Sequence, residues 1–163
     1  MLVTYTGFGR RLSCMRQALR IWCEIYDRVF NYPPKNHFDT IFGSLSKTGT
    51  YDSFDFQNDS FFVEHKERSI PFGKYPTLYF DRVKYDEYLR LKRINPRHRF
   101  VIIWTCLGHS YFWEFTENDE DENNELTFYF DEMLMDRRRG TGWKHQALVH
   151  VFLSAVKPLS EFK

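Results

Sequence analysis

The apolar run Phe100-Val101-Ile102-Ile103-Trp104-Thr105-Cys106 constrains the fold more than any other part of this chain. It lacks the polar alternation of a half-exposed strand, and it is far too short to cross a membrane as a helix. It reads as a strand buried on both faces, which needs covering layers on each side. The surrounding pattern supplies them. Leu12, Met15, Leu19, Trp22, Cys23, Tyr26, Val29 and Phe30 recur at helical spacing, so a first helix is expected over residues 12–30, stopped by Pro33-Pro34. Residues 35–50 read as loop, with glycine and serine at 43, 44, 46 and 49. Strands are expected over 51–56 and 60–68, joined as a hairpin by Gln57-Asn58-Asp59.

Further along, residues 77–80 fit a short strand, and Asp81 fits the N-cap of a helix reaching Arg93, with Tyr85, Tyr88 and Leu89 inward. After the apolar strand, Gly108-His109 turns the chain into a strand over 111–115. The acidic stretch 117–125 reads as a solvated hairpin loop; it lacks the glycine that a calcium loop requires. A strand over 126–130 follows. Arg137-Arg138-Arg139-Gly140 then leads to an expected last helix with Trp143, Ala147, Leu148, Val151, Phe152 and Ala155 on one face, ended by Pro158. The order predicts an α/β fold, a central mixed sheet flanked by helices, in one domain of residues 1–163.

Composition narrows the classes. The chain is 42% hydrophobic and 19% aromatic with a net charge of +1, so any nucleic-acid footprint has to be local. Three cysteines without a C-x-x-C pair argue against a disulfide framework or a zinc ribbon and fit an intracellular, unsecreted protein. No signal peptide or membrane span is expected. His145 and His150 have the wrong spacing for one helix face, and Gly7-Phe8-Gly9 does not make a phosphate loop.

The chemistry-bearing feature is Glu64-His65-Lys66. Side chains alternate along a strand, so Glu64, Lys66 and Arg68 share one face and Phe61, Val63 and His65 the other. Asp55 lies at hairpin distance upstream, with Asp52 and Asp59 as rivals. Carboxylates beside an amine suit divalent-metal hydrolysis of phosphodiesters. The carboxylates hold the cation, and the amine orients or deprotonates the attacking water or neutralises the developing phosphorane charge. The plain alternative is an edge strand with a solvated Glu/Lys/Arg face. Acidic-x-Lys is a weak pattern alone, since Glu161-Phe162-Lys163 repeats it at the end of the chain.

The segments Tyr51-Asp52-Ser53-Phe54-Asp55-Phe56 and Val63-Glu64-His65-Lys66-Glu67-Arg68, with the elements that follow to Phe115, resemble the PD-(D/E)XK nuclease superfamily, and within it small proteins of phages and large DNA viruses. The proline of the motif is replaced by Phe54. The resemblance implies a restriction-endonuclease-like core of helix, three antiparallel strands, helix and strand. It implies magnesium or manganese held by Asp55, Glu64 and the His65 backbone carbonyl, with Glu24 as a further candidate, and Lys66 as the catalytic lysine. The expected activity is cleavage of DNA, in preference to RNA, in the cytoplasm or nucleus of a host. The alternative is an inactive nuclease fold that binds nucleic acid or serves in virion assembly. Candidate phosphate contacts are Arg68, a cluster of Arg90, Lys92, Arg93, Arg97, His98 and Arg99, and the triplet Arg137, Arg138 and Arg139. A homodimer is left open.

Overall fold

A computed structural model describes residues 35–49, 52–137 and 142–163. The expected helix over 12–30, Glu24 within it, and Arg138 and Arg139 lie outside the described residues. The chain divides into two compact units, residues 1–40 and 41–163. The described elements make a strand-rich mixed α/β protein with two helices, α1 (Lys35–Phe42) and α2 (Arg82–Ile94). The strands are β1 (Ser46–Lys47), β2 (Phe56–Gln57), β3 (Phe61–Arg68), β4 (Thr77–Asp81), β5 (Arg99–Cys106), β6 (His109–Glu114), β7 (Phe128–Arg137), β8 (Gly142–Phe152) and β9 (Lys157–Pro158). They form a six-stranded sheet in the order β1-β2-β3-β5-β6-β9 and a three-stranded sheet in the order β4-β8-β7.

β5 runs down the middle of the larger sheet and is buried on both faces, as its apolar run predicts. It pairs parallel to β3, with Glu64 opposite Ile102 and Lys66 opposite Trp104, and antiparallel to β6. The parallel pairing requires a crossover, and β4 with α2 provides it. On one face of β5, Phe100, Ile102, Trp104 and Cys106 meet Tyr85 and Tyr88 of α2 and Leu78, Phe80, Phe128, Val149 and Val151 of the smaller sheet. On the other face Val101 and Ile103 are sealed, and Phe162 closes over Phe42, Phe61 and Phe112 with ring centroids 4.6–5.8 Å apart. The turn after β5 sets both Leu107 and Gly108 at positive φ, 47° and 86°. Glycine takes that conformation without the Cβ penalty that Leu107 bears.

Four expectations are corrected. The last helix is a strand: β8 pairs antiparallel with β7 from Phe128↔Val151 to Arg137↔Gly142. Near its C-terminal end β8 is covered on both faces, so Leu148 is buried along with Val149 and Val151. Apolar residues on both faces of a strand imitate helical spacing, whereas the β-branched pair Val149 and Val151 fits the pleat. Residues 35–50 are not all loop, since α1 and β1 lie there. Phe38 and Phe42, four apart and both buried, carried a helical signal that the nearby glycines and serines masked. The strand expected over 51–56 shrinks to β2, and the strand expected over 126–130 starts at Phe128 and runs on to Arg137.

Candidate active site

The charged face of β3 is not a solvated edge. β3 lies between β2 and β5, and its even-numbered side chains point at the core beneath α2 and β4. Phe62 stacks on Phe100 there, with centroids 4.9 Å apart, and two residues on Glu64 is 4% exposed. An ionised carboxylate buried to that extent requires compensating charge. Two ammonium groups supply it. Lys66 Nζ lies 3.3 Å from Glu64 Oε1, and Lys84 Nζ lies 3.0 Å from Oε2. Lys84 reaches in from the first turn of α2 and also donates to the Ser53 carbonyl. Lys66 is in turn 3.9 Å from Asp81 Oδ2 at the end of β4. Asp81 occupies the N-cap position of α2 but makes no side-chain cap; its Oδ1 accepts a hydrogen bond from Gln146 Nε2 on β8.

Asp55 sits just before β2. Its backbone N–H donates to the Val63 carbonyl at 3.0 Å, and its Oδ2 accepts the His65 backbone N–H at 2.9 Å. The side chain is thereby pinned across the hairpin next to Glu64. Burial pushes the Glu64 carboxyl above its ordinary value of 4.5, Lys66 pulls it down, Asp55 pushes it further up and Lys84 pulls it down. Asp55 acts here as a like charge that disfavours the ionised form of Glu64. The rivals of Asp55 are occupied elsewhere. Asp52 is exposed and accepts the Gly49 N–H at 2.6 Å, and Asp59 is exposed in the turn.

His65 faces away from this cluster, as its position in the strand predicts. Its Nε2 lies 2.9 Å from Thr105 Oγ1, which lies 3.0 Å from Ser110 Oγ. Burial lowers its basicity, partly offset by Asp55.

Most of the expected phosphate contacts are not brought to the site. Arg68 donates to the Tyr79 carbonyl at 2.8 Å and stacks on the Tyr79 ring, tying β4 to β3. Arg99 pairs through two nitrogens with Glu114, and Arg90 does the same with Glu87. Lys92 donates to the His98 carbonyl. Arg93 and Arg97 are exposed around the end of α2.

Sequence reasoning missed Lys84, Asp81 as a member of this cluster, and Gln146. Lys84 did leave a signal. The first turn of α2 holds no acidic residue and carries cations, the unfavourable end of the helix dipole for them. A lysine there needs an anion from outside the helix, and Glu64 is that anion.

Searches against family models, curated proteins and solved structures find no match to this chain. Among the described residues no helix is long and apolar enough to cross a membrane, and no group of three or more His, Cys, Asp or Glu side chains is assembled to hold a metal ion. The donor chemistry nevertheless suits a hard divalent cation. Asp55, Glu64 and Asp81 are oxygen donors, and Glu64 is a buried carboxylate that already collects positive charge on both oxygens.

Proposed function

We propose that this protein is a metal-dependent nuclease that hydrolyses DNA phosphodiesters at the Glu64–Lys66 cluster. The observation that carries the reading is the burial of Glu64 between Lys66 and Lys84 with Asp55 beside it. Burying a carboxylate against two half-buried lysines is costly, because desolvation takes several kcal/mol per buried ion, and such perturbed charges cluster at functional sites. Asp55, Glu64 and the His65 backbone carbonyl are the groups that would hold magnesium or manganese. When bound, the cation would polarise the phosphoryl oxygens and acidify a water. Lys66 lies between Glu64 and Asp81, where its ammonium can stabilise negative charge developing on phosphate. Lys84 holds Glu64 in place and shares its charge.

The element order supports the same reading. The antiparallel strands β2 and β3, then α2 and the parallel strand β5 keep part of the helix, three-strand, helix, strand order that the resemblance implies; the expected third strand, β4, pairs in the smaller sheet, and the expected first helix lies outside the described residues.

A second reading has an observation of its own. Both Glu64 oxygens are satisfied by lysines, which is also how a nuclease fold kept only for binding or assembly would neutralise its former site. Incubation of the purified chain with plasmid, single-stranded DNA and RNA, with magnesium or manganese and with chelator, separates the two. The nuclease reading expects cleavage of DNA that chelator abolishes. Binding of the same substrates without cleavage under any of the cations supports the second reading.

A further inference from the structure

The smaller sheet ends on a long strand that is paired along one side. β7 has 10 residues, and β8 pairs with it without a bulge from Phe128↔Val151 to Arg137↔Gly142. Among the described residues no strand pairs with its other side. The Phe152 N–H donates to the Thr127 carbonyl, so along β7 the odd-numbered residues turn their backbone toward β8 and the even-numbered ones turn theirs outward. Glu132 agrees: its N–H is taken by Oδ1 of its own neighbour, Asp131, at 2.8 Å. β4 leaves the sheet at Asp81↔Leu148, so beyond that pair β7 and β8 form a two-stranded ribbon. Phe130 is 44%, Met133 38% and Leu134 51% exposed. A long edge strand with open apolar side chains, no proline and no bulge is a template for another strand.

The residues of β7 select the occupant, a second copy of the same edge. A two-fold axis perpendicular to the sheet lays two β7 strands antiparallel with the same faces up, so odd residues meet odd ones and even meet even. Few registers survive. An axis at Asp131 or Glu132 sets a carboxylate against itself, and an axis at Leu134 sets Glu132 against Asp136. An axis nearer either end leaves half of the strand or more unpaired. An axis at Met133 sets no like charges opposite each other. It matches Tyr129 with Arg137, Phe130 with Asp136, Asp131 with Met135 and Glu132 with Leu134 of the second copy. The outward backbones fit this register. Glu132 and Leu134 become a hydrogen-bonded pair, and Met133 meets Met133 as the closer, non-bonded pair. Leu134 acquires Leu134 and Phe130 of the second copy as diagonal neighbours on its face. The net charge of +1 sets up no long-range repulsion between copies.

We propose that the outer edge of β7 binds the same edge of a second copy, antiparallel about a two-fold axis at Met133, joining two three-stranded sheets into one. Trp143 is one strand further in, on β8, and lies outside the joint. The Glu64 cluster takes no part, so the proposal is independent of the nuclease reading.

The test is sedimentation of the full chain over a range of concentration, together with crosslinking of single cysteine variants. The parent should dimerise. Under mild oxidation Met133→Cys should give a covalent dimer above the parent's background, because a non-bonded Cα pair about 4.5 Å apart is within disulfide reach. Leu134→Cys should crosslink at least about tenfold more slowly, since diagonal positions stand about 7–8 Å apart. Met133→Lys and Met133→Glu should each weaken dimerisation by about tenfold or more, by facing like charges across the axis, and an equimolar mixture of the two should restore it as a heterodimer. Met133 is exposed, so every variant should keep the parent's circular dichroism spectrum. A parent that stays monomeric at submillimolar concentration overturns the proposal, and so does a parent dimer that Met133→Lys leaves intact. Equal crosslinking at residues 133 and 134 removes the Met133 axis and the proposal with it.

Discussion

Around Glu64 the charges of this protein are folded against one another, whereas the outer β7–β8 hairpin, residues 132–147, carries four cations to two carboxylates in its sequence, beside exposed Leu134 and Trp143. The first region is compact and self-compensated, suited to exchanging an ammonium contact for a small cation. The second is a two-stranded extension that leaves large apolar side chains open to water. The difference shows why the overall charge of +1 says little: cations and anions are sorted by position, and only the sorting carries function.

The sharpest break between the two regions should be in stability. Trp104 is fully buried at the centre of the core and Trp143 is largely exposed. Trp104→Ala should cost about 3–5 kcal/mol by leaving a cavity, and Trp143→Ala should stay within about 0.5 kcal/mol. Urea denaturation of both variants checks this. Similar destabilisation in the two would mean that the ribbon is packed against something and that the contrast is false.

Activity should divide the other way. Glu64→Gln and Lys66→Ala should each lower metal-dependent cleavage about 100-fold or more, while DNA affinity in chelator changes little. Cleavage rates within a few-fold of the parent in both variants would remove the cluster from the chemistry.

Lys84→Met leaves Glu64 with Lys66 as its remaining ammonium partner among the described residues, so it should destabilise the fold by roughly 1–3 kcal/mol. It should also move the acid limb of the pH–rate profile upward. That limb already belongs above the ordinary 4.5 of a glutamate, because burial and then Asp55 raise Glu64 against the pull of its lysines. Protonated Glu64 binds a cation poorly, so activity is lost as pH falls through this raised value. A limb at the ordinary carboxylate value, unmoved in Lys84→Met, would count against Glu64 as the titrating group.

The smallest effect concerns the histidines. Burial lowers both His65 and His150 from 6.5. Between the lowered folded value and 6.5 the unfolded chain holds more protons, so these groups make stability fall as pH drops through that window. The urea midpoint should therefore decline from about pH 7 to about pH 5.5, and less so in His150→Gln. A parent midpoint that is flat or rises toward acid would contradict this.

Much of this arrangement was legible in the residues. The apolar run around Ile102 marked a strand covered on both faces, Asn58 and Asp59 marked the β2–β3 turn, and strand alternation separated Glu64 and Lys66 from His65. Parity could not reveal that the charged face of β3 points inward. That follows from the parallel pairing with β5 and the crossover through β4 and α2, which are long-range facts. The β8 strand was misread because its neighbours cover both faces of its inner half, erasing the period-two signal. Lys84 was overlooked because the anion it serves is twenty residues away in sequence, although only 3.0 Å away in space.

The central claim is that Asp55 and Glu64 can take a divalent cation in place of lysine contacts. Manganese binding followed by electron paramagnetic resonance on the full chain tests it without any substrate. The account predicts a saturable site in the parent that is lost in Glu64→Gln, weakened in Asp55→Asn and strengthened in Lys84→Met. Binding that is unchanged in Glu64→Gln, or a parent that takes up no manganese at millimolar concentration, would contradict it.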